Sequence, residues 1–299
     1  DLYAFNGLID DVRITKGVAL YPFHPPISAL TNTPEYLGDF GVDRTTNSND
    51  FSVEGNITPD DQLLDTPNLR FATLDASDLS DANLTTRNLG TNTGVRADSY
   101  GQKSSGKWYW ETSLVDTSPS GNHTGVWDIS ETMGTNYVGQ TSGSWGLYLG
   151  IGGTAPRVRH NGTYTTPSGV TAFASGDIIS IAIDLDSGKM WYAKNGVWFE
   201  SGNPSAGTGD AYPTNPLTGT LAPADIQRDT MTYNFGQDHT FAGAKSPLLT
   251  PYSDTNGVGE FYYEPPSGFL ALTTKVVASE TILPTTGRVT LLEHYQSKL

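Results

Sequence analysis

The amino-acid sequence predicts an all-β fold, an antiparallel β-sandwich, and three observations lead to this prediction. The 299 residues include 33 glycines and 18 prolines, together about 17% of the chain. These two residues usually contribute roughly 12%, so many turns are expected. Several segments alternate apolar and polar residues with the period of a β-strand. Turn dipeptides separate consecutive apolar runs, and helical periodicity is almost absent.

The longest apolar run opens a meander of three predicted strands. Residues 178–185 place alternate isoleucines on one face, and Asp186-Ser187-Gly188 supplies a turn. Residues 189–194 run back, and Asn195-Gly196 is a dipeptide suited to a two-residue hairpin turn before the next strand. Two turns between three apolar runs predict an antiparallel sheet.

Two further segments carry strand patterns. Residues 107–114 alternate, with Trp108 and Trp110 on the same face, and residues 157–164 contain the hairpin dipeptide Asn161-Gly162. One alternate face of each strand is buried in a sandwich. The residues predicted to lie in the core are Trp108, Trp110, Ile179, Ile181, Ile183 and Phe235.

The chain divides into four segments by composition. We expect residues 1–30 to contain a terminal strand and a Pro-rich linker, because three prolines follow an alternating segment. Asn, Asp, Thr, Ser and Gly dominate residues 31–100, which predicts a loop-rich wrap leading into the sandwich. We expect residues 101–265 to form the sandwich and residues 266–299 to be a C-terminal extension.

The chain ends have apolar patterns without a partner. No initiator Met or signal peptide opens the sequence, which begins in a strand-like context, so we interpret it as a processed chain or as part of a longer polypeptide. A lone strand is not stable, and an exposed edge invites pairing. We therefore expect residues 1–26 and 275–299 to pack against other chains or against missing polypeptide, or else to fold back on the sandwich.

Composition argues against several classes of partner and chemistry. The formal net charge is -15 and the pI is about 4.5, so phosphate backbones repel the chain and nucleic-acid binding is not expected. No apolar run approaches the ~18 residues of a membrane helix, so membrane insertion is not expected. The absence of cysteine removes disulfides, thiol nucleophiles and Cys-ligated zinc.

A family resemblance rests on four stretches taken together. They are Gly106-Lys-Trp-Tyr-Trp-Glu111, the run from Gly176 to Tyr192, Lys194-Asn-Gly-Val-Trp198 and Asn234-Phe-Gly236. In order and spacing they resemble a SPRY domain, which is a concanavalin-like β-sandwich. The resemblance covers about half of the chain and implies a module that binds partners.

The opening segment resembles a different module. Residues 5–14, Phe-Asn-Gly-Leu-Ile-Asp-Asp-Val-Arg-Ile, resemble the closing strand of a laminin-G-like lectin sandwich. The combination resembles virion proteins of marine and cyanobacterial phages, in which such sandwiches recur in tail fibres and other appendages. It implies a structural or host-attachment protein located in the virion. The implied partners are other virion proteins, further copies of the chain, and a host surface glycan or receptor.

Two alternatives to an appendage binding protein remain open at this stage. One is a capsid-decorating protein that stabilises the phage head and has no role at the host. The other is a polysaccharide-degrading appendage enzyme, which needs two facing carboxylates at a defined separation. Glu111 follows two tryptophans, but we expect it to pair with Lys107 or to be exposed. We therefore expect that the chain is not an enzyme.

Two tryptophans are the predicted ligand-binding residues. Trp127 and Trp145 lie in or beside Gly/Ser/Thr-rich stretches, where their rings could stack on sugars and support carbohydrate binding. The competing interpretation is that tryptophans fill the core. The five histidines, His24, His123, His160, His239 and His294, are scattered without a nucleophile-elbow pattern.

A calcium site is the one metal site that the sequence suggests. Asp75, Asp78 and Asp81 recur three residues apart, and Ca²⁺ takes six to eight oxygen ligands from such loops. Ser80 stands where an EF-hand loop would require glycine. Aspartate also favours turns without any metal. Apart from this candidate for a structural Ca²⁺ site, no cofactor is expected.

Overall fold

The computed structural model describes residues 70–75, 84–86, 93–116, 122–150, 154–226 and 228–273. These residues form thirteen β-strands and two 3₁₀ turns, Phe199–Ser201 and Pro204–Ala206, and contain no α-helix. The strands are β1 (Leu74–Asp75), β2 (Gly94–Ala97), β3 (Lys107–Asp116), β4 (His123–Asp128), β5 (Ser144–Tyr148), β6 (Arg157–His160), β7 (Thr163–Thr165), β8 (Ile178–Asp184), β9 (Lys189–Lys194), β10 (Val197–Trp198), β11 (Leu221–Ile226), β12 (Thr230–Asn234) and β13 (Leu270–Ala271).

The strands form two sheets that pack face to face, which confirms the predicted all-β sandwich. One sheet has seven strands in the order β1-β2-β11-β4-β5-β6-β7. The other has six strands, with β10-β9-β8-β3-β12 in order and β13 paired to β3. All pairs are antiparallel except β13 with β3, which is parallel.

The Asn-Gly dipeptides at 161–162 and 195–196 form the predicted hairpin turns. Asn161 and Gly162 connect β6 to β7 with φ of 46° and 76°, and Asn195 and Gly196 connect β9 to β10 with φ of 48° and 78°. Positive φ at both central residues gives the turn whose twist matches the flanking strands. Asparagine and glycine adopt this conformation at low cost, so the local sequence determines these turns.

The core between the sheets contains five of the six predicted residues. Trp110, Ile179, Ile181, Ile183 and Phe235 are each at most 1% exposed. Trp108 is the exception and is only partly buried. It is the second residue of β3, and its indole N–H donates to a backbone carbonyl at 2.7 Å, so it lies at the rim of the sandwich.

The six-stranded sheet is buried on its outer face as well. Residues 236–273 cross this face, where the ring of Phe261 lies 5.0 Å from that of Tyr109 and the ring of Phe269 lies 6.1 Å from that of Trp191. Every residue of β8 is buried as a result. Burial on both faces explains why β8 reads as a nearly continuous apolar run.

The sandwich includes strands on either side of residues 101–265. β1 and β2 lie within the segment predicted to be a loop-rich wrap, and both pair into the seven-stranded sheet. Leu74, Val95 and Ala97 are buried in the core. β13 lies beyond residue 265 and pairs with β3. These strands are only two to four residues long, too short to show a clear alternation, which is why composition suggested loops here.

Several predictions fall outside the described residues. They concern the strand at residues 5–14, the linker that follows it, and the packing of residues 1–26 and 275–299. Within the described part of the chain, no helix has the length and apolar character to cross a membrane.

Candidate functional site

The two predicted ligand-binding tryptophans lie in the interior. Trp127 belongs to β4 and is fully buried in a small apolar cluster on the outer face of the seven-stranded sheet. Trp145 belongs to β5, is 2% exposed, and stacks on His160 with ring centroids 4.7 Å apart. Neither ring offers a face to a sugar. The prediction of a site at these residues is corrected because strands, not loops, hold both rings.

Glu111 is neither exposed nor paired with Lys107, contrary to expectation. Lys107 pairs instead with Asp184, with nitrogen and oxygen 3.3 Å apart. The fully buried Glu111 carboxylate accepts hydrogen bonds of 2.8 Å from the backbone N–H groups of Tyr262 and Tyr263 and from the Tyr109 hydroxyl. Burial raises the pKa of Glu111 to about 7, against the opposing effect of these donors. Glu111 therefore links β3 to residues 236–273, the segment that covers the outer face of the six-stranded sheet.

Replacing Glu111 with glutamine should lower the free energy of unfolding by about 1–3 kcal/mol. Glutamine has one acceptor oxygen, so its NH₂ group would face one of the two backbone N–H donors and leave it unsatisfied. Urea denaturation at pH 4 measures the change, because Glu111 is then protonated in the folded chain and mostly protonated in the unfolded chain, so its raised pKa adds little to the difference. Asp186→Asn is a suitable control because Asp186 lies in an exposed turn. An unchanged midpoint in Glu111→Gln would contradict this anchoring role.

The candidate calcium ligands do not come together among the described residues. Asp75 is exposed on β1, and Asp78 and Asp81 lie outside the described residues. In the described ranges no group of three or more Asp, Glu or His side chains is arranged to hold a metal ion.

A cluster of aromatic and basic side chains covers the outer face of the seven-stranded sheet next to β7. The strand register places His123 beside Tyr148, Tyr148 beside Arg157, and Arg159 beside Tyr164. Two loop residues, Tyr137 and Arg228, complete the group. We call it the arginine–tyrosine cluster, and its members are His123, Tyr137, Tyr148, Arg157, Arg159, Tyr164 and Arg228.

The guanidinium groups of the cluster lie over the tyrosine rings. The Arg157 guanidinium carbon is 4.2 Å from the ring centroid of Tyr164 and 5.0 Å from that of Tyr148. Arg159 lies 4.7 Å from Tyr164 and 5.6 Å from Tyr137. Arg228 lies 5.6 Å from the Tyr137 ring and donates a hydrogen bond to its hydroxyl. These cation–π contacts hold the arginine side chains in place.

The cluster has hydrogen-bond donors without acceptors. The Nε atoms of Arg157, Arg159 and Arg228 are buried and have no hydrogen-bond partner, and neither has Nη1 of Arg159. None of these arginines pairs with a carboxylate of the described residues. An unpaired buried donor is costly, and more so when it is charged.

His123 forms the floor of the cluster. It is 3% exposed, its Nε2 lies 3.1 Å from the Tyr164 hydroxyl, and its Nδ1 has no partner. Burial, together with the positive charges of Arg159, Arg157 and Arg228, lowers the pKa of His123 to about 3. The imidazole is therefore neutral at physiological pH, and the arginines carry the positive charge of this surface.

Comparison with known proteins identifies the sandwich. The SPRY domain family matches residues 107–238, from the start of β3 to just beyond β12. Residues 107–238 form a SPRY domain. The match leaves out β1, β2 and β13, so the sandwich contains more chain than the matched segment. A comparison with curated proteins found no match.

Solved structures of SPRY domains are among those similar to this chain. The crystal structure of the TRIM65 PSpry domain is 18% identical, covers 55% of this chain and 92% of its own, and has a TM-score of 0.42. The SPRY domain of human HERC1 is also 18% identical, covers 48% of this chain and 83% of its own, and has a TM-score of 0.34.

The arginine–tyrosine cluster lies on the SPRY domain and was missed by the sequence reasoning. The available signal was the spacing of Arg157 and Arg159, which are two residues apart on a strand and so share a face. The whole chain has only 17 Lys and Arg residues, which makes such a pair notable. Recognising the cluster also required the register of β4 to β7, which brings its members together.

Proposed function

We propose that this chain is a structural or attachment protein of a phage virion, an appendage subunit that binds a protein or glycan partner. SPRY domains are generally non-catalytic interaction modules, and residues 107–238 form one. The resemblance of residues 5–14 to a lectin strand, and of the combination to phage appendage proteins, supports the virion assignment.

The observation that carries the binding role is the arginine–tyrosine cluster. Six of its seven members are half-buried, so they reach the surface while their side chains are held by one another. Tyrosine and arginine are enriched among the residues that dominate binding energy at interfaces. Side chains ordered before binding lose little conformational entropy when the partner arrives. The cluster is therefore suited to act as the anchor of an interface.

The described carboxyl groups with strongly raised pKa values do not favour the enzyme alternative. Glu111 and Asp225 are each fully buried and accept hydrogen bonds from neighbouring protein groups. A glycosidase needs two carboxylates that face each other across a cleft open to substrate. We propose a non-catalytic role for this reason.

Electron microscopy of purified phage particles with a gold-labelled antibody against the chain tests the proposal. We expect label on the tail or on fibres attached to it. Label over the head lattice would favour a capsid-decorating protein instead. Particles without label, from a lysate in which the chain is abundant, would contradict a virion location.

A further inference from the structure

We infer that the arginine–tyrosine cluster binds a carboxylate group of an acidic peptide segment in a partner protein. The inference rests on the proposed function only in taking the SPRY domain to be an interaction module. It names the chemistry of the ligand and does not depend on where the partner is located.

The charge of the cluster favours a negative ligand. Three guanidinium groups share one face of the sheet, and none pairs with a carboxylate of the described residues. Four of their buried N–H positions have no acceptor. A carboxylate at the exposed side of these half-buried arginines would offer several lone pairs and could accept paired N–H groups from one guanidinium. Binding would therefore place a negative charge beside three guanidinium groups that no described carboxylate neutralises.

Elsewhere the chain supplies its own acceptors to basic groups. Arg70 also lies over a tyrosine, with its guanidinium carbon 4.5 Å from the Tyr100 ring centroid. Its Nη2 atom, however, lies 3.9 Å from Oδ2 of Asp98. Lys194 pairs with Asp177 at 2.9 Å. The arginine–tyrosine cluster repeats the cation–π arrangement of Arg70 without a described carboxylate. An acceptor from another molecule would complete the same arrangement.

The stacking geometry favours a peptide carboxylate over a sugar ring. A sugar would need an open aromatic face, whereas guanidinium groups already lie over the rings of Tyr137, Tyr148 and Tyr164. The half-buried guanidinium groups reach the surface beside these rings, and their N–H groups lie in a plane that matches the two oxygens of a carboxylate.

The test measures binding of short fluorescent peptides to the full chain by anisotropy. One peptide alternates glutamate with glycine, the second carries glutamine in place of glutamate, and a polygalacturonate fragment serves as the acidic-sugar probe. The variants are Arg157→Gln and Arg159→Gln, and Arg159→Lys keeps the charge but removes the planar fork. Arg70→Gln is the matched control, since it removes an arginine that stacks on tyrosine and already has Asp98 beside it.

We expect the glutamate peptide to bind at least about tenfold more tightly than the glutamine peptide, because hydrogen bonds from a guanidinium to a carboxylate are stronger than those to a neutral amide. Arg157→Gln and Arg159→Gln should each weaken binding by about tenfold or more, Arg159→Lys by less, and Arg70→Gln by less than about twofold. The melting temperature of Arg159→Gln should stay the same or rise, since the substitution removes unpaired donors and repulsion between like charges. A purely structural arginine would show the reverse, a lower melting temperature.

Three outcomes would overturn the inference. They are equal binding of the two peptides, unchanged binding in both cluster variants, and binding of the polygalacturonate fragment in preference to the glutamate peptide. The last outcome would change the ligand class and leave an attachment function intact. Conversely, absence of the chain from phage particles would refute the virion role without affecting peptide binding, so the two proposals fail separately.

Discussion

Replacing Trp110 with alanine should lower the free energy of unfolding by about 3–5 kcal/mol, the usual cost of removing a large buried aromatic ring. Trp110 lies in the middle of β3, pairs with Ile181 of β8, and is 0% exposed between the two sheets. Its removal leaves a cavity, and the surrounding strands cannot move to fill it without breaking the hydrogen bonds between them. Urea denaturation followed by tryptophan fluorescence and circular dichroism measures the loss.

Trp110→Phe separates packing from polar effects at the same position. The indole N–H of Trp110 is buried and has no hydrogen-bond partner, so phenylalanine removes an unsatisfied donor together with part of the ring. We expect Trp110→Phe to cost less than about 2 kcal/mol, well below the alanine variant. Equal losses in the two variants would contradict the account of Trp110 as a core-filling ring.

Replacing Asp225 with asparagine should change how stability depends on pH. The fully buried Asp225 carboxyl accepts hydrogen bonds from the Tyr233 hydroxyl at 2.6 Å and from the Asn122 amide at 3.0 Å. Burial raises its pKa to about 8, from 3.8 in the unfolded chain. Between these values the folded protein retains a proton that the unfolded chain has released. The contribution of Asp225 to stability is therefore lost as pH rises from about 4 to about 8.

Asparagine cannot titrate, so Asp225→Asn removes this loss. Relative to the wild type, the variant should gain on the order of a few kcal/mol between pH 4 and pH 8. The difference between the two proteins cancels other groups, including His123, whose lowered pKa makes stability fall as pH decreases from 6.5 toward 3. Unfolding free energies across this range measure it.

Asp177→Asn is the control for the pH experiment. Asp177 pairs with Lys194, and its pKa is lowered because hydrogen bonds from Asn195, Lys194 and the Ala174 backbone, together with the Lys194 charge, outweigh the opposing effect of burial. A lowered carboxyl pKa gives a contribution that is complete above pH 4, so this variant should differ from the wild type by a constant amount from pH 5 to pH 8. Parallel curves for wild type and Asp225→Asn would refute the assignment of a raised pKa to Asp225.

Local sequence was sufficient to predict those parts of the fold that depend on neighbouring residues. The hairpins at Asn161-Gly162 and Asn195-Gly196 follow from the positive φ that these residues tolerate. The meander from β8 to β10 follows from alternation between turns. Both signals extend over a few residues, so no long-range contact was needed to read them.

The sequence patterns did not predict contacts between segments that are distant along the chain. The segment that covers β3 has little strand character, and its contact with Glu111 joins residues more than 150 positions apart. Trp127 sits among residues typical of loops, yet the partners that bury it include Ile226 from β11. The arginine–tyrosine cluster likewise depends on the register of β4 to β7. Periodicity assigns a residue to a face but does not say what that face meets.

Competition for phage adsorption tests most directly the central proposal, that this chain attaches the virion to a partner on the host surface through the arginine–tyrosine cluster. Host cells are incubated with purified chain, and the fraction of phage that then adsorbs is counted. We predict that the wild-type chain and Arg70→Gln lower adsorption to the same extent, whereas folded Arg159→Gln does not. Adsorption unaffected by the wild-type chain, or equal competition by Arg159→Gln, would contradict the account.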